Sequence, residues 1–226
     1  MSGSPEPYSH DVPDDRDEHA HLWRIALFVT GFFAIWSLAV FLVWRPGWFD
    51  GKQDGLIENI VKVSVWLGFA FLAAKLAGAR QPYRWMGFYP IAPRVVGVTV
   101  IAVAVLLAKD LVRAVWIEGR SPDWQAFASH VAPASLTGVL EETLFRGAIL
   151  AWLATRLGSV RGVVIDTTLF FLIHVPGWLI LQVPVSAQKA AVVMAVGLVC
   201  GKLRQLTKSL WPPIGAHAAN NAGSWF

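Results

Sequence analysis

Apolar positions along this chain gather into seven long runs, residues 22–44, 56–78, 95–108, 131–157, 162–183, 185–203 and 210–226, separated by short polar connections. Most are of membrane-spanning length, which calls for about 20 residues, and the pattern predicts an all-α polytopic transmembrane bundle of about seven spans, possibly eight. The run 95–108 is short and needs residues toward Trp116 to complete it. The second run holds Glu58 and Lys62, which at i,i+4 can pair on one helix face. Residues 109–130 read as a polar loop or surface helix. Pro176-Gly177 is expected to break the fifth run just after His174, and Pro212-Pro213 the start of the last.

Ahead of the first run, residues 1–20 hold Pro, Ser, Asp and Glu with Arg16 as the single Lys or Arg, and are expected to form a disordered tail. The acidic leader and the length of the run 22–44 predict a true first span and no secretory signal. The remaining residues, 21–226, read as one transmembrane domain.

Composition agrees with this reading. Of 226 residues, 55% are hydrophobic and 15% charged, with a mean hydropathy of +0.52, which excludes an ordinary soluble domain. The net charge of +4 comes from basic residues in the connections, so it speaks for membrane orientation and not for nucleic acid. With seven spans, the side holding the N-terminus receives eleven basic residues and the other side six, which predicts a cytoplasmic N-terminus and a C-terminus across the membrane. Cys200 is the only cysteine, so the chain has no intramolecular disulfide and no multi-cysteine zinc site. Trp residues near run ends suit anchoring at the bilayer interface.

Candidate chemistry lies where charge interrupts the late runs. Glu141, Glu142 and Arg146 share the fourth run, and each ionised side chain costs roughly 2.5–3.5 kcal/mol at the centre of a membrane helix. That run therefore turns its charged face toward other helices or a wet cavity. Glu142 and Arg146 are i,i+4 neighbours and predict an ion pair, whereas Glu141 points about 100° away and is free to act on water. One buried network that only fixes helix packing is the equal alternative for this motif by itself. His174 follows Phe170 by one turn in the fifth run, and His217 and Asn221 share a face in the last. Taken alone, the first suits a packed histidine and the second helix-helix glue. Together they offer a carboxylate, two imidazoles and an amide, enough to position water and stabilise an oxyanion.

The order Glu-Glu-x-x-x-Arg, Phe-x-x-x-His, His-x-x-x-Asn resembles the CAAX-protease and bacteriocin-processing (CPBP, Abi) family of intramembrane endopeptidases, with Phe145, Gly147 and Ser209-Leu210-Trp211 adding to the likeness. The resemblance covers residues 131–226. It implies a helical membrane protease in which Glu141 and His174 activate water, His217 and Asn221 hold the oxyanion, and Glu142, Arg146 and Phe170 support them. It also implies a membrane-associated or lipidated protein or peptide substrate and a place in a bacterial cytoplasmic membrane. No metal or other cofactor is expected: no His-Glu-x-x-His occurs, and Asn221 beside His217 suits an oxyanion hole better than a zinc ligand, which would want an acceptor for its other ring nitrogen. A zinc-dependent version of the same protease, an inactive substrate binder, and a transporter or scaffold are the rival readings.

Overall fold

The computed structural model describes residues 18–44 and 54–226. The expected tail lies outside the described residues up to position 17, and helix already begins at Glu18. The chain runs α1 (Glu18–Ala39, continued by a π-helical turn Val40–Trp44), α2 (Asp54–Leu76), α3 (Pro82–Met86) and α4 (Pro93–Val112, continued by a π-helical turn Arg113–Ile117). It goes on through α5 (Trp124–Glu142), a π-helical segment Thr143–Ile149, α6 (Leu150–Leu157), α7 (Ser159–Leu172), α8 (His174–Ile180), α9 (Ala187–Thr207) and α10 (Trp211–Gly223).

The long helices alternate in direction. Phe28 and Trp36 of α1 meet Phe69 and Trp66 of α2, so these two are antiparallel. Trp66 also meets Phe145, and Lys62 meets Thr137, which sets α5 parallel to α2. α7 returns against it, with Phe170 on Phe145. The last helix runs back along α5, from Leu210, whose N–H donates to the Gly87 carbonyl, to Phe226, stacked on Phe127. Two faces result: a near face holding the start of α1, the α2–α4 connection and the α6–α7 turn, and a far face holding Trp44, the start of α2, the end of α8 and Phe226.

Five helices among the described residues are long and apolar enough to cross a membrane: Trp23–Trp44, Ile57–Leu76, Pro93–Ile117, Ser159–Ile180 and Ala187–Thr207. The chain is an integral membrane protein with an all-helical bundle. The two expected runs missing from these five carry Glu141, Glu142, Arg146, His217 and Asn221, whereas Phe170 and His174 lie on Ser159–Ile180. The run through Glu141 holds three ionisable side chains, and α10 has only 13 residues. Both are packed among the other helices, α10 against α4, α5 and α9. By contrast α4 leaves Val100, Ile101 and Val105 exposed, an outward apolar stripe suited to lipid.

Several local expectations need correction. Of the polar loop or surface helix expected over 109–130, helix holds at both ends and the loop is confined to 118–123. Lys109 and Arg113 both pair with Asp110, which lets α4 and its π-helical turn continue to Ile117, and the Asp123 carboxylate accepts from the Ala126 N–H to start α5. The fifth run breaks before His174 and not after it: Pro176 sits in the first turn of α8, where its missing N–H costs nothing. Pro212 and Pro213 likewise occupy the first turn of α10 and begin that helix.

Candidate active site

The run carrying Glu141 leaves α-helical geometry one residue after Glu142. The π-helical segment Thr143–Ile149 is buried throughout. Such bulges re-aim side chains and recur at functional sites. Here the two adjacent glutamates take different surroundings.

Glu142 is fully buried. Arg146 Nη1 donates to its Oε1 at 3.2 Å, and His217 Nδ1–H donates to the same oxygen at 2.7 Å. Arg146 is closed from the other sides by Asp166 (Nε to Oδ2, 3.4 Å), by the Gly197 carbonyl (3.0 Å) and by the Phe170 ring, whose centroid lies 4.2 Å from the guanidinium carbon. Gly197 permits this approach: a Cβ there would stand 2.9 Å from Thr167 Cγ2 and 3.4 Å from Arg146 Nη2.

Glu141 faces the other way, into a cavity of about 330 Å³ whose walls include His174, Lys62, Trp36, Trp66 and Trp178. Lys62 Nζ lies 3.5 Å from Glu141 Oε1 and donates to Thr137 Oγ1 at 2.9 Å. Lys62 is thus turned to Thr137 and Glu141 rather than paired with Glu58 as the i,i+4 spacing suggested. A carboxylate at the floor of an apolar bundle needs a cation more than one at its rim, and the long lysine stem reaches it. His217 Nε2 stands 3.7 Å from Glu141 Oε2, so its imidazole bridges the two glutamates.

His174 lines the same cavity, and its Nδ1–H donates to the Phe170 carbonyl at 2.7 Å, which leaves Nε2 unprotonated in the neutral ring. Phe170 is the hub: its ring meets His174 at 5.0 Å, His217 at 5.6 Å and Phe145 at 5.2 Å. Asn221 stands apart from this group. It is half-buried one turn beyond His217, its Oδ1 accepts from Asn220 Nδ2 at 3.5 Å, and it does not line the cavity.

Two residues of this cluster are absent from the sequence-predicted site: Asp166, and Lys62, which the spacing pairs with Glu58. Asp166 lies four residues before Phe170 and eight before His174, on one helix face, and that periodicity together with its charge was the available signal. Lys62 carried no such signal, because a helix that supplies one cation to a site formed elsewhere looks like any span with one charge.

Helices α2, α5, α7, α8 and α10, with the π-helical segment, thus bring together three carboxylates, two imidazoles, an ammonium and a guanidinium, of which Glu141, His174 and Lys62 line the cavity. The family model described as Type II CAAX prenyl endopeptidase Rce1-like matches residues 123–223, the stretch from the cap of α5 to the end of α10. No curated protein matches the chain. Nor does any solved structure.

Proposed function

We propose that this chain, whose residues 123–223 match that family model, is a protease of the CAAX type that hydrolyses a peptide bond inside the membrane with Glu141 and His174 as the groups that activate water. The observation that carries the proposal is that these two side chains line one cavity in an otherwise apolar bundle. In this reading the water gives its proton to the Glu141–His174 pair as its oxygen bonds to the peptide carbonyl carbon. The tetrahedral oxyanion is met by His217 and Asn221. Collapse breaks the C–N bond, and the stored proton passes to the leaving amine.

For His217, donation to an oxyanion from Nε2 requires both ring nitrogens to carry protons, because Nδ1–H is committed to Glu142. Glu142 is then the group that sets the ring, and Arg146 with Asp166 holds Glu142. Asn221 reaches the oxyanion only if substrate draws it in, since half-buried and off the cavity wall it does not face the reacting space.

The chemistry proposed is metal-free. Glu142 accepts from His217 Nδ1 as a carboxylate beside a zinc-bound imidazole would, so the His217–Asn221 pairing does not by itself disfavour zinc. Support comes instead from Lys62: an ammonium 3.5 Å from Glu141 already supplies positive charge where a divalent cation would stand. Prolonged chelation should leave activity intact; loss of activity restored by zinc would replace the mechanism and keep the protease.

The substrate in this reading is a membrane-associated or lipidated protein or peptide, and the enzyme sits in a bacterial cytoplasmic membrane with its N-terminus inside. The test compares membrane proteomes of cells carrying the native chain and Glu141→Gln. A new polypeptide terminus that depends on Glu141 is expected. Identical termini at equal protein abundance would favour a binder or scaffold.

A further inference from the structure

The cavity has a direction. Its floor is Glu141, Trp66 and Ile173, and its rim is Trp44 at the end of α1, Glu58 and Asn59 at the start of α2, and Leu181 and Val183 after α8. Every rim residue belongs to the far face. Lys62 lies one turn, about 6 Å, below Glu58 along α2, so the reacting groups are reached from that side through a short aromatic funnel.

The two faces differ in charge. Arg24 opens α1, Lys75, Arg80, Arg84 and Arg94 surround the α2–α4 connection, Arg156 and Arg161 flank the α6–α7 turn, and Lys202, Arg204 and Lys208 close α9, all at the near face. The described far face carries Lys109, Arg113, Arg120 and Lys189, and Arg113 and Arg120 are both engaged with Glu118. Basic residues near helix ends mark the cytoplasmic side, and ten against four among described residues assigns that side to the near face.

We infer that the catalytic cavity opens to the extracytoplasmic side, so that its substrate is a polypeptide segment presented there: an exported peptide or the outer juxtamembrane stretch of a membrane protein. This rests on the protease reading for what the cavity does, but the direction of the opening is independent of it. A segment confined to the cytoplasm would meet the closed near face, with the cluster of Met86, Leu144 and Leu210 between it and Glu141.

The side of the opening can be read without a substrate. Cys200 is buried, so a Cys200→Ala chain gives a silent background for single cysteines. Asn59→Cys and Val183→Cys report the rim, and Arg84→Cys and Arg161→Cys the near face. In spheroplasts treated with a membrane-impermeant maleimide, the two rim cysteines should label about tenfold more than the two near-face cysteines, which should label only after permeabilisation. Rim cysteines that label only after permeabilisation would overturn the inference. A second arm adds a pool of internally quenched random peptides to the outside of spheroplasts carrying the native chain or Glu141→Gln. Glu141-dependent hydrolysis from outside supports it, hydrolysis only after permeabilisation overturns it, and no hydrolysis in either condition counts against the protease reading while the labelling still fixes the side.

Discussion

Two clusters of paired charge in this protein have almost the same local geometry and opposite surroundings. In the bundle interior, Arg146 meets Glu142 at 3.2 Å with both side chains fully excluded from solvent; at the far face, Arg113 meets Glu118 at 3.1 Å with each about a third exposed. Distance alone would rank them equal. Burial separates them, because removing a partner inside leaves a charge that water cannot reach, whereas at the face solvent and salt replace the partner at once. The inner cluster therefore fixes where the proposed catalytic groups stand, and the outer one only trims a helix end.

The largest break in this comparison comes from Arg146→Ala. It strands Glu142 and Asp166, both 0% exposed, and a broken buried pair costs roughly 3–5 kcal/mol. Membrane abundance should fall sharply, measured by quantitative immunoblot against the native chain. Replacing the whole triad, with Arg146→Met, Glu142→Leu and Asp166→Leu together, should recover abundance and leave cleavage lost, since His217 then has no carboxylate at Nδ1. Recovery of cleavage in the triple variant would show that Glu142 does not position His217.

Glu141→Gln sharpens the contrast from the other side of the same helix. Glu141 faces the cavity at 8% exposure, and its amide isostere fits the space, so abundance should hold near native while turnover falls by about 10²–10⁴-fold, the worth of a general base. Lys62→Met is the next step down. A hydrogen bond to a charged group is worth about 1.5–3 kcal/mol, so turnover should drop by roughly 10- to 100-fold with little change in KM, and Lys62→Arg should restore part of it. An unchanged turnover in Lys62→Met would remove Lys62 from the site.

These differences also explain what the sequence made legible. The all-helical membrane class follows from run length alone, and the Glu142–Arg146 pair from i,i+4 spacing. Which glutamate faces the cavity was already implied by the 100° rotation between neighbours. Spacing within a helix says nothing, however, about what a separate helix brings, and so Lys62 was assigned to Glu58 and Asp166 was not assigned at all. Length and apolarity alone single out five helices among the described residues, and the two expected runs they leave out, through Glu141 and along α10, are the charged or short ones that satisfy their polarity inside the bundle. Helix breaks were misplaced wherever proline was read as a terminator, because at Pro176 and Pro212 it occupies a first turn.

The smallest expected effect belongs to the outer cluster. The hydrogen bond from Arg120, helped by Arg113, holds the Glu118 carboxyl below the usual carboxylate range. A carboxylate depressed in the folded state contributes stability that is fully present above its unfolded pKa, near 4.3, and is lost as pH falls through the lower folded value. Glu118 is at the surface, however, where such pairs are weak and screened. Glu118→Gln should therefore lower the melting temperature of the detergent-solubilised protein only slightly at pH 7, by far less than Arg146→Ala. The difference from the native chain should shrink in about 1 M salt, where the Debye length is roughly 3 Å, and should close as pH falls through the lowered folded value and the native carboxyl takes up its proton. A melting-temperature loss that matched that of Arg146→Ala, or that survived high salt undiminished, would mean that the outer pair is shielded from solvent as the inner one is, and the contrast between the two clusters would fail.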